Sequence, residues 1–466
     1  MFSYLKNFVA LVTANSFSNV LAIITFPVLY KKIGNELYGN WIFIISIFSI
    51  LSVIQTLGAD TLIARDIAAK RLGAKNIIRK FIGIKITLTF LLIFFITVQY
   101  FISIPESQNY RLFIYYTIPL LLLNIFSFEN LLMGIEEFQL VSILKLFIQV
   151  IHSLTVLFII NEPNDIYYVI NANILSSAAA SFWAWVVLIK IGYSITPIFN
   201  LKDSLNIIKK SIKYFYSSIC GATYTRVGAI LTKIFLSEYW VGIYAAAMRL
   251  FEIIIEFAHV IYKPLMPKII QMIEHNGEYN KIVSLVFKLC ILSYMPIIVG
   301  FISIGDKLII YFFDESIVKE INLYYYFLPS IFIYPMTSFT SSLLVGFNMH
   351  NNYFYSTVLG GICSIILNVL LGHFFGVYGL AVSYSLSILF MLGYNFVVLR
   401  NNFRKFKYKE VLGLLFCLFT SLFIINIFSL MFNNFLIVIL LSILFYMPVV
   451  YFYLKADFEI IYNSRI

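Results

Sequence analysis

The feature that most restricts this chain is the length of its apolar blocks. Stretches of about 20 apolar residues recur from end to end, and each is long enough to cross a hydrocarbon core of roughly 30 Å as a helix. A helix satisfies its own backbone hydrogen bonds there, whereas barrel strands would need short alternating runs that are absent. About fourteen blocks are readable. They begin with Phe8–Tyr30 and Asn40–Asp60, include Tyr214–Leu236 and Val241–Tyr262 as the seventh and eighth, and end with Val411–Leu430 and Phe435–Leu454. Composition agrees, since 61% of residues are hydrophobic and 12% charged, against about a quarter charged in soluble domains. The expected fold class is all-α integral membrane, with about 12–14 transmembrane helices. The first block is too long for a signal peptide and no small-residue cleavage pattern follows it, so it is read as a retained helix.

Charge sets the orientation. Arg65, Lys70, Arg71, Lys75, Arg79 and Lys80 follow the second block, Lys202, Lys209, Lys210 and Lys213 precede the seventh, and Arg400, Arg404, Lys405, Lys407 and Lys409 follow the twelfth. Loops on the other side are short and neutral or acidic, as at Glu162 and Asp165, or Glu238. The positive-inside rule then puts both termini in the cytoplasm of a cell with an inner, cytoplasmic-type membrane. The net charge of +11 is spread over loops of one side, as insertion requires, so no nucleic-acid partner is expected.

An internal echo divides the chain. Asn35-Glu36-Leu37-Tyr38-Gly39-Asn40-Trp41 follows the first block, and Ser237-Glu238-Tyr239-Trp240-Val241-Gly242-Ile243-Tyr244 follows the seventh. Repeated halves are a transporter habit, with cargo bound between them near mid-membrane. The expected organisation is a six-helix lobe over 1–200, a second over 201–400, and a C-terminal helix pair with a short cytoplasmic tail over 401–466.

Ionisable groups inside membrane spans are costly and are functional hypotheses by default. Arg226 and Arg249 lie about twelve and eleven residues from Glu238, which puts both roughly 17 Å from that turn. Lys233 shares a face with Arg226, and Glu252 and Glu256 follow Arg249 on one stripe that His259 continues. Two readings stay open. Arg226, Lys233 and Arg249 can line a watery cavity and hold an anionic group such as a pyrophosphate, with Glu252, Glu256 and His259 titrating to couple an ion; alternatively Arg249–Glu252 and Arg226–Glu256 are structural pairs. Glu129 and Lys145 flank a turn at similar distances and are expected to pair. Lys85 is expected to snorkel, His152 to pack between helices, and Asp60 to fix the adjoining loop. Asn15, Asn19 and Gln55 can meet sugar hydroxyls or other helices. The four cysteines sit inside apolar blocks as packing residues, and no metal site, catalytic motif or cofactor-binding loop is present in the sequence.

Phe26-Pro27, Lys31-Lys32-Ile33-Gly34-Asn35-Glu36-Leu37-Tyr38-Gly39, Leu57-Gly58-Ala59-Asp60, Ala64-Arg65-Asp66-Ile67-Ala68, Val241 to Leu250 and Val377-Tyr378-Gly379-Leu380-Ala381, in that order, resemble the landmarks of the polysaccharide flippases of the O-antigen type, often called Wzx. The resemblance spans the first 400 residues or so. It implies a two-lobed fold akin to multidrug and peptidoglycan-precursor exporters, alternating access, no enzymatic step and no cofactor. The implied cargo is an undecaprenyl-pyrophosphate-linked repeat unit of O-antigen or capsule, with membrane lipids and other polysaccharide-assembly membrane proteins as partners. A drug/cation antiporter of the same superfamily and a membrane-embedded polymerase are the alternatives. Paired arginines at mid-depth suit cationic drugs poorly, and short outer loops leave little room for a polymerase active site.

Overall fold

The computed structural model describes residues 2–68, 74–103, 108–135, 137–194, 196–256, 258–263, 265–274, 279–313, 323–402, 408–432 and 434–463. Among them, ten helices are long and apolar enough to cross a membrane. Two are too long for one crossing. Phe17–Thr56, with 40 residues, would run about 60 Å, and His350–Leu399, with 50, about 75 Å, at least twice a hydrocarbon core. Each contains one glycine that leaves helical geometry, Gly34 (φ 80°, ψ 169°) and Gly376 (φ 59°, ψ −138°). Only a residue without Cβ takes such angles cheaply, so each long helix is two spans joined at a glycine. The all-α membrane fold expected from the sequence is the one observed.

In chain order, α1 is Phe2–Thr56, α2 Ala59–Ala68, α3 Ala74–Ser103, α4 Gln108–Asn124, α5 Glu129–Gly134 and α6 Phe138–Leu154, which runs on as one π-helical turn, Thr155–Ile159. Then come α7 (Ile166–Lys190), α8 (Leu201–Phe235), α9 (Glu238–Glu256), α10 (Ala258–Tyr262), α11 (Met266–Glu274), α12 (Tyr279–Phe312), α13 (Leu323–Gly346), α14 (His350–Leu399), α15 (Tyr408–Met431) and α16 (Phe435–Asn463). The seventh and eighth blocks form helices, α8 and α9–α10, but these are not among the ten that meet the length and apolarity of a membrane span. Their polar residues are what lower the average, and they include the charges singled out above.

The chain forms two compact units, Met1–Ala246 with Ser364–Gly376, and Ala247–Cys363 with Val377–Ile466. In the first, α1 packs on α6 and α8, and α2 packs on α5 and α8. Its apolar core gathers Ile63 of α2, Ile78 and Phe81 of α3, Phe128 in the turn before α5, Leu132 of α5 and Leu188 of α7. In the second, α12 is the centre, packed against α13, α15 and α16. Leu285 and Leu292 of α12 meet Leu414, Cys417 and Tyr446, and Phe251 stacks on Phe327 while Phe287 meets Phe339 edge-on. Large apolar side chains such as Phe90, Phe94 and Phe95 on α3 and Phe416 and Phe419 on α15 face outward. Contiguous outward-facing apolar surface of this kind is what lipid contact requires.

Candidate functional site

The site with the richest chemistry lies wholly inside the first unit and originates in the break between α4 and α5. The chain turns at Ile125–Phe128, held by Ile125 N–H to Leu122 O (3.2 Å) and Ser127 N–H to Asn124 O (3.1 Å). Such a break leaves carbonyls without helical partners, and inside a membrane these must be satisfied by protein. Lys85 of α3 does this. Its side chain is wholly enclosed, 2% exposed, and Nζ donates to Asn124 O (2.6 Å) and Ser127 O (3.1 Å). The expected snorkelling toward water is therefore corrected: the cation finds carbonyl oxygens nearer than the interface. Gln55 completes the junction, donating to Leu121 O (2.8 Å) and accepting from Asn124 Nδ2 (2.6 Å). It is a packing amide. Asn19 is half-buried, and the side chain of Asn15 lies outside the described residues.

Around this break open two adjoining clefts. One, of about 350 Å³, is lined by Tyr116, Glu129, Lys145, Asn173, Ser177 and Ser181 among others. Its neighbour, of about 390 Å³, is lined by Ser52, Thr56, Asp60, Lys85, Asn130 and Ser218. They share Phe48, Asn124, Ser127, Phe128 and Glu129, so they adjoin across a common wall and together make up the polar recess of the first unit. Both volumes fall in the range of small-molecule pockets. Glu129 and Lys145 form the expected ion pair, Nζ to Oε1 2.6 Å. Asp60 accepts a short hydrogen bond from Asn130 Nδ2, so it is held within the recess and not only at the loop. His152, buried as expected between helices, lies 3.1 Å from Asn173 Nδ2 through Nδ1.

The residues expected to bind an anion are placed as follows. Lys233, on α8, contacts Glu238 (3.0 Å) and Asn40 Oδ1 (2.9 Å) and lies over the ring of Phe43. Asn40 also donates to Glu238 Oε2 (3.0 Å), closing a three-membered network between α1 and the α8–α9 turn. Arg226 is half-buried on α8 in the same unit. Arg249 belongs to the second unit, where it donates to Glu252 Oε2 (2.8 Å). The side chains of Glu256 and His259 lie outside the described residues. Beside the Lys233 network, the two echoed segments touch through their glycines. A Cβ on Gly39 would stand 2.1 Å from Glu238 O, and one on Gly242 would stand 2.2 Å from Asn35 O.

Three features escape sequence reasoning. Lys32 donates to Val156 O (3.0 Å), Leu157 O (3.0 Å) and Ile160 O (2.8 Å), closing the π-helical end of α6, where carbonyls lack partners. Asn173 has no sequence mark beyond its polarity in an apolar block. In the second unit, Lys288 of α12 is 5% exposed and pairs with Glu410 of α15 at 3.1 Å; the two are too far apart in sequence to be matched. Among the described residues, no group of three His, Cys, Asp or Glu could hold a metal ion.

Multi-pass helices in two compact units, spans broken at glycines and a polar recess inside the first unit are features of membrane transporters. Solved structures of that class share its fold. Lipid II flippase MurJ in an inward closed conformation is similar at TM-score 0.77, with 16% identity over 96% of this chain and 99% of that one. An inward-facing multidrug resistance MATE family transporter of the MOP superfamily is similar at TM-score 0.60, with 16% identity over 82% of this chain and 94% of that one. The MATE multidrug transporter DinF-BH gives 0.59, with 14% identity over 84% and 94%. Among curated proteins no relative matches. The family model described as "Polysaccharide biosynthesis protein" matches residues 4–269, more than half of the chain. The chain belongs to that family.

Proposed function

We propose that this transporter is a flippase for a lipid-linked saccharide. The observation that carries the reading is the recess of the first unit. Amides, hydroxyls, two carboxylates and two amines surround it, with Phe48 and Phe128 as apolar faces, inside a unit whose exterior suits lipid. Amides, carboxylates and hydroxyls exchange hydrogen bonds with sugar hydroxyls, and rings cover the apolar faces of pyranoses. Membership of a polysaccharide biosynthesis family supports a saccharide cargo, and the fold shared with a lipid II flippase supports a lipid-linked one. A cationic-drug antiporter accounts for the shared MATE fold but not for that family membership.

In this proposal the cargo is an undecaprenyl-pyrophosphate-linked repeat unit of O-antigen or capsule. It passes from the cytoplasmic to the outer leaflet of a bacterial inner membrane, with both termini cytoplasmic. Residues 1–200 and 201–400 are the repeated lobes and 401–466 the added helix pair. The candidate pyrophosphate ligands are Arg226, Lys233 once it leaves Glu238 and Asn40, and Arg249 once it leaves Glu252; Glu252, Glu256 and His259 are the candidates to couple an ion. No bond is made or broken.

The test is surface polysaccharide in cells lacking the chain and in cells carrying Arg226→Ala, Lys233→Ala or Arg249→Ala, with membrane levels measured in parallel. Loss of display with lipid-linked single repeat units accumulating inside supports the reading. Normal display without the chain refutes it, and normal display in all three variants removes the cation assignment.

A further inference from the structure

Two ion pairs between helices of this protein differ in one respect that matters. Lys288–Glu410 is nearly dry on its cationic side, 5% exposed, and joins α12 to α15 directly. Glu129–Lys145 is shorter, at 2.6 Å, yet its partners are 44% and 40% exposed, and both line the wall of the first cleft. An ion pair that open to a cleft contributes less to holding helices together than a closed one. Two ionisable groups within membrane-spanning segments still carry an insertion cost, so helix packing alone does not account for them. Their neighbours in the cleft are Asn124, Asn173, Ser177 and Ser181, all hydrogen-bonding and all uncharged.

We infer that Glu129 and Lys145 are specificity-determining residues for the sugar portion of the cargo, parting to take one uncharged pyranose bearing free hydroxyl or acetamido groups. The inference rests on the flippase reading. The recess contains Asp60 and Glu129 against Lys85 and Lys145, and Lys85 is spent on two carbonyl oxygens. Side-chain charge there is balanced, so nothing in it favours an anion such as the pyrophosphate, which belongs elsewhere. A carboxylate accepts from two adjacent hydroxyls, and an ammonium donates to a ring, hydroxyl or acetamido oxygen. Resting against each other, the two groups keep one another solvated in the empty cleft. A sugar exchanges that one contact for several.

The experiment is a charge swap in cells whose surface polysaccharide depends on this chain. Glu129→Gln, Lys145→Gln and the double swap Glu129→Lys with Lys145→Glu are compared for membrane level and display. If the pair binds sugar, the single variants insert normally with display lowered at least tenfold, and the swap inserts normally without restoring it, because donor and acceptor now face the wrong sugar atoms. If the swap restores wild-type display, the pair acts only through its own attraction and the inference is overturned. Ser177→Leu fills the same cleft without altering charge and decides the matter where the swap fails to insert: reduced display with normal insertion supports the site, and unchanged display overturns it. Display that persists without the chain is a different failure, that of the flippase reading itself.

Discussion

Replacing Gly242 by Ala adds one methyl group where the echoed segments meet. Two effects of opposite sign compete. Gly242 lies within α9, so intrinsic propensity favours Ala by about 1 kcal/mol. The new Cβ would stand 2.2 Å from the backbone oxygen of Asn35, roughly 1.2 Å inside ordinary contact, and backbone oxygen cannot rotate away as a side chain can. Overpacking costs about 1–3 kcal/mol, and a backbone obstacle puts it at about 2–3 kcal/mol, leaving a net cost of about 1–2 kcal/mol, or roughly 5–30-fold in the equilibrium for separating the segments. Hydrogen exchange on the detergent-solubilised protein reads this directly. Peptides covering 35–41 and 237–244 are expected to lose protection together by that factor. Gly39→Ala meets Glu238 O at 2.1 Å on the same contact, so the double variant costs little more than the worse single one, since the first methyl has already opened the gap. Unchanged or increased protection, or full additivity, refutes a close-packed reciprocal contact.

Three further outcomes are expected. Lys85→Met leaves Ser127 O without its Lys85 donor and Asn124 O with only the Ser127 N–H, and destabilises the first unit by about 1–3 kcal/mol, measured as the fraction still monodisperse by size exclusion after heating. Lys288→Met removes one ion-pair partner of the partly exposed Glu410 and costs about 1–3 kcal/mol, whereas Lys288→Met with Glu410→Met restores most of it; proteolysis of α15 in detergent reports both. Gly58→Ala forces φ +72° on a residue with Cβ, and that Cβ meets Phe215 N at 2.3 Å, so membrane yield falls several-fold, more than for Ala at Gly300, where nothing lies within 4 Å.

Much of the fold is legible in the chain because a bilayer leaves so few choices. Span lengths, and the breaks at Gly34 and Gly376, follow from block length and glycine placement. The Glu129–Lys145 pair is legible too, since both lie near one turn and their spacing along two adjacent helices fixes their level. Lys85 is misread because its acceptors are backbone carbonyls at the α4–α5 break, which no side chain announces. Lys288 and Glu410 are separated by 122 residues, and no local pattern joins them. The echo of Asn35–Trp41 in Ser237–Tyr244 shows repetition, but that the copies lie against each other is a tertiary fact. The recess follows the same rule: serines and asparagines scattered over α1, α4, α5, α7 and α8 converge only once those helices pack.

The Lys288–Glu410 pair sets an order of events during synthesis. α12 enters the bilayer with a cation whose partner is 122 residues away, a delay of roughly 6–24 s at ordinary translation rates. Glu410 directly follows the basic residues Arg400 to Lys409 and precedes the apolar span Gly413–Met431, so for that interval the ammonium sits near the membrane surface and leans on water and lipid headgroups. The terminal helix pair is thus more than ballast at the end of the chain. Its arrival gives that cation a fixed carboxylate in place of water and headgroups, so a nascent chain halted before α15 is incomplete in charge as well as in length.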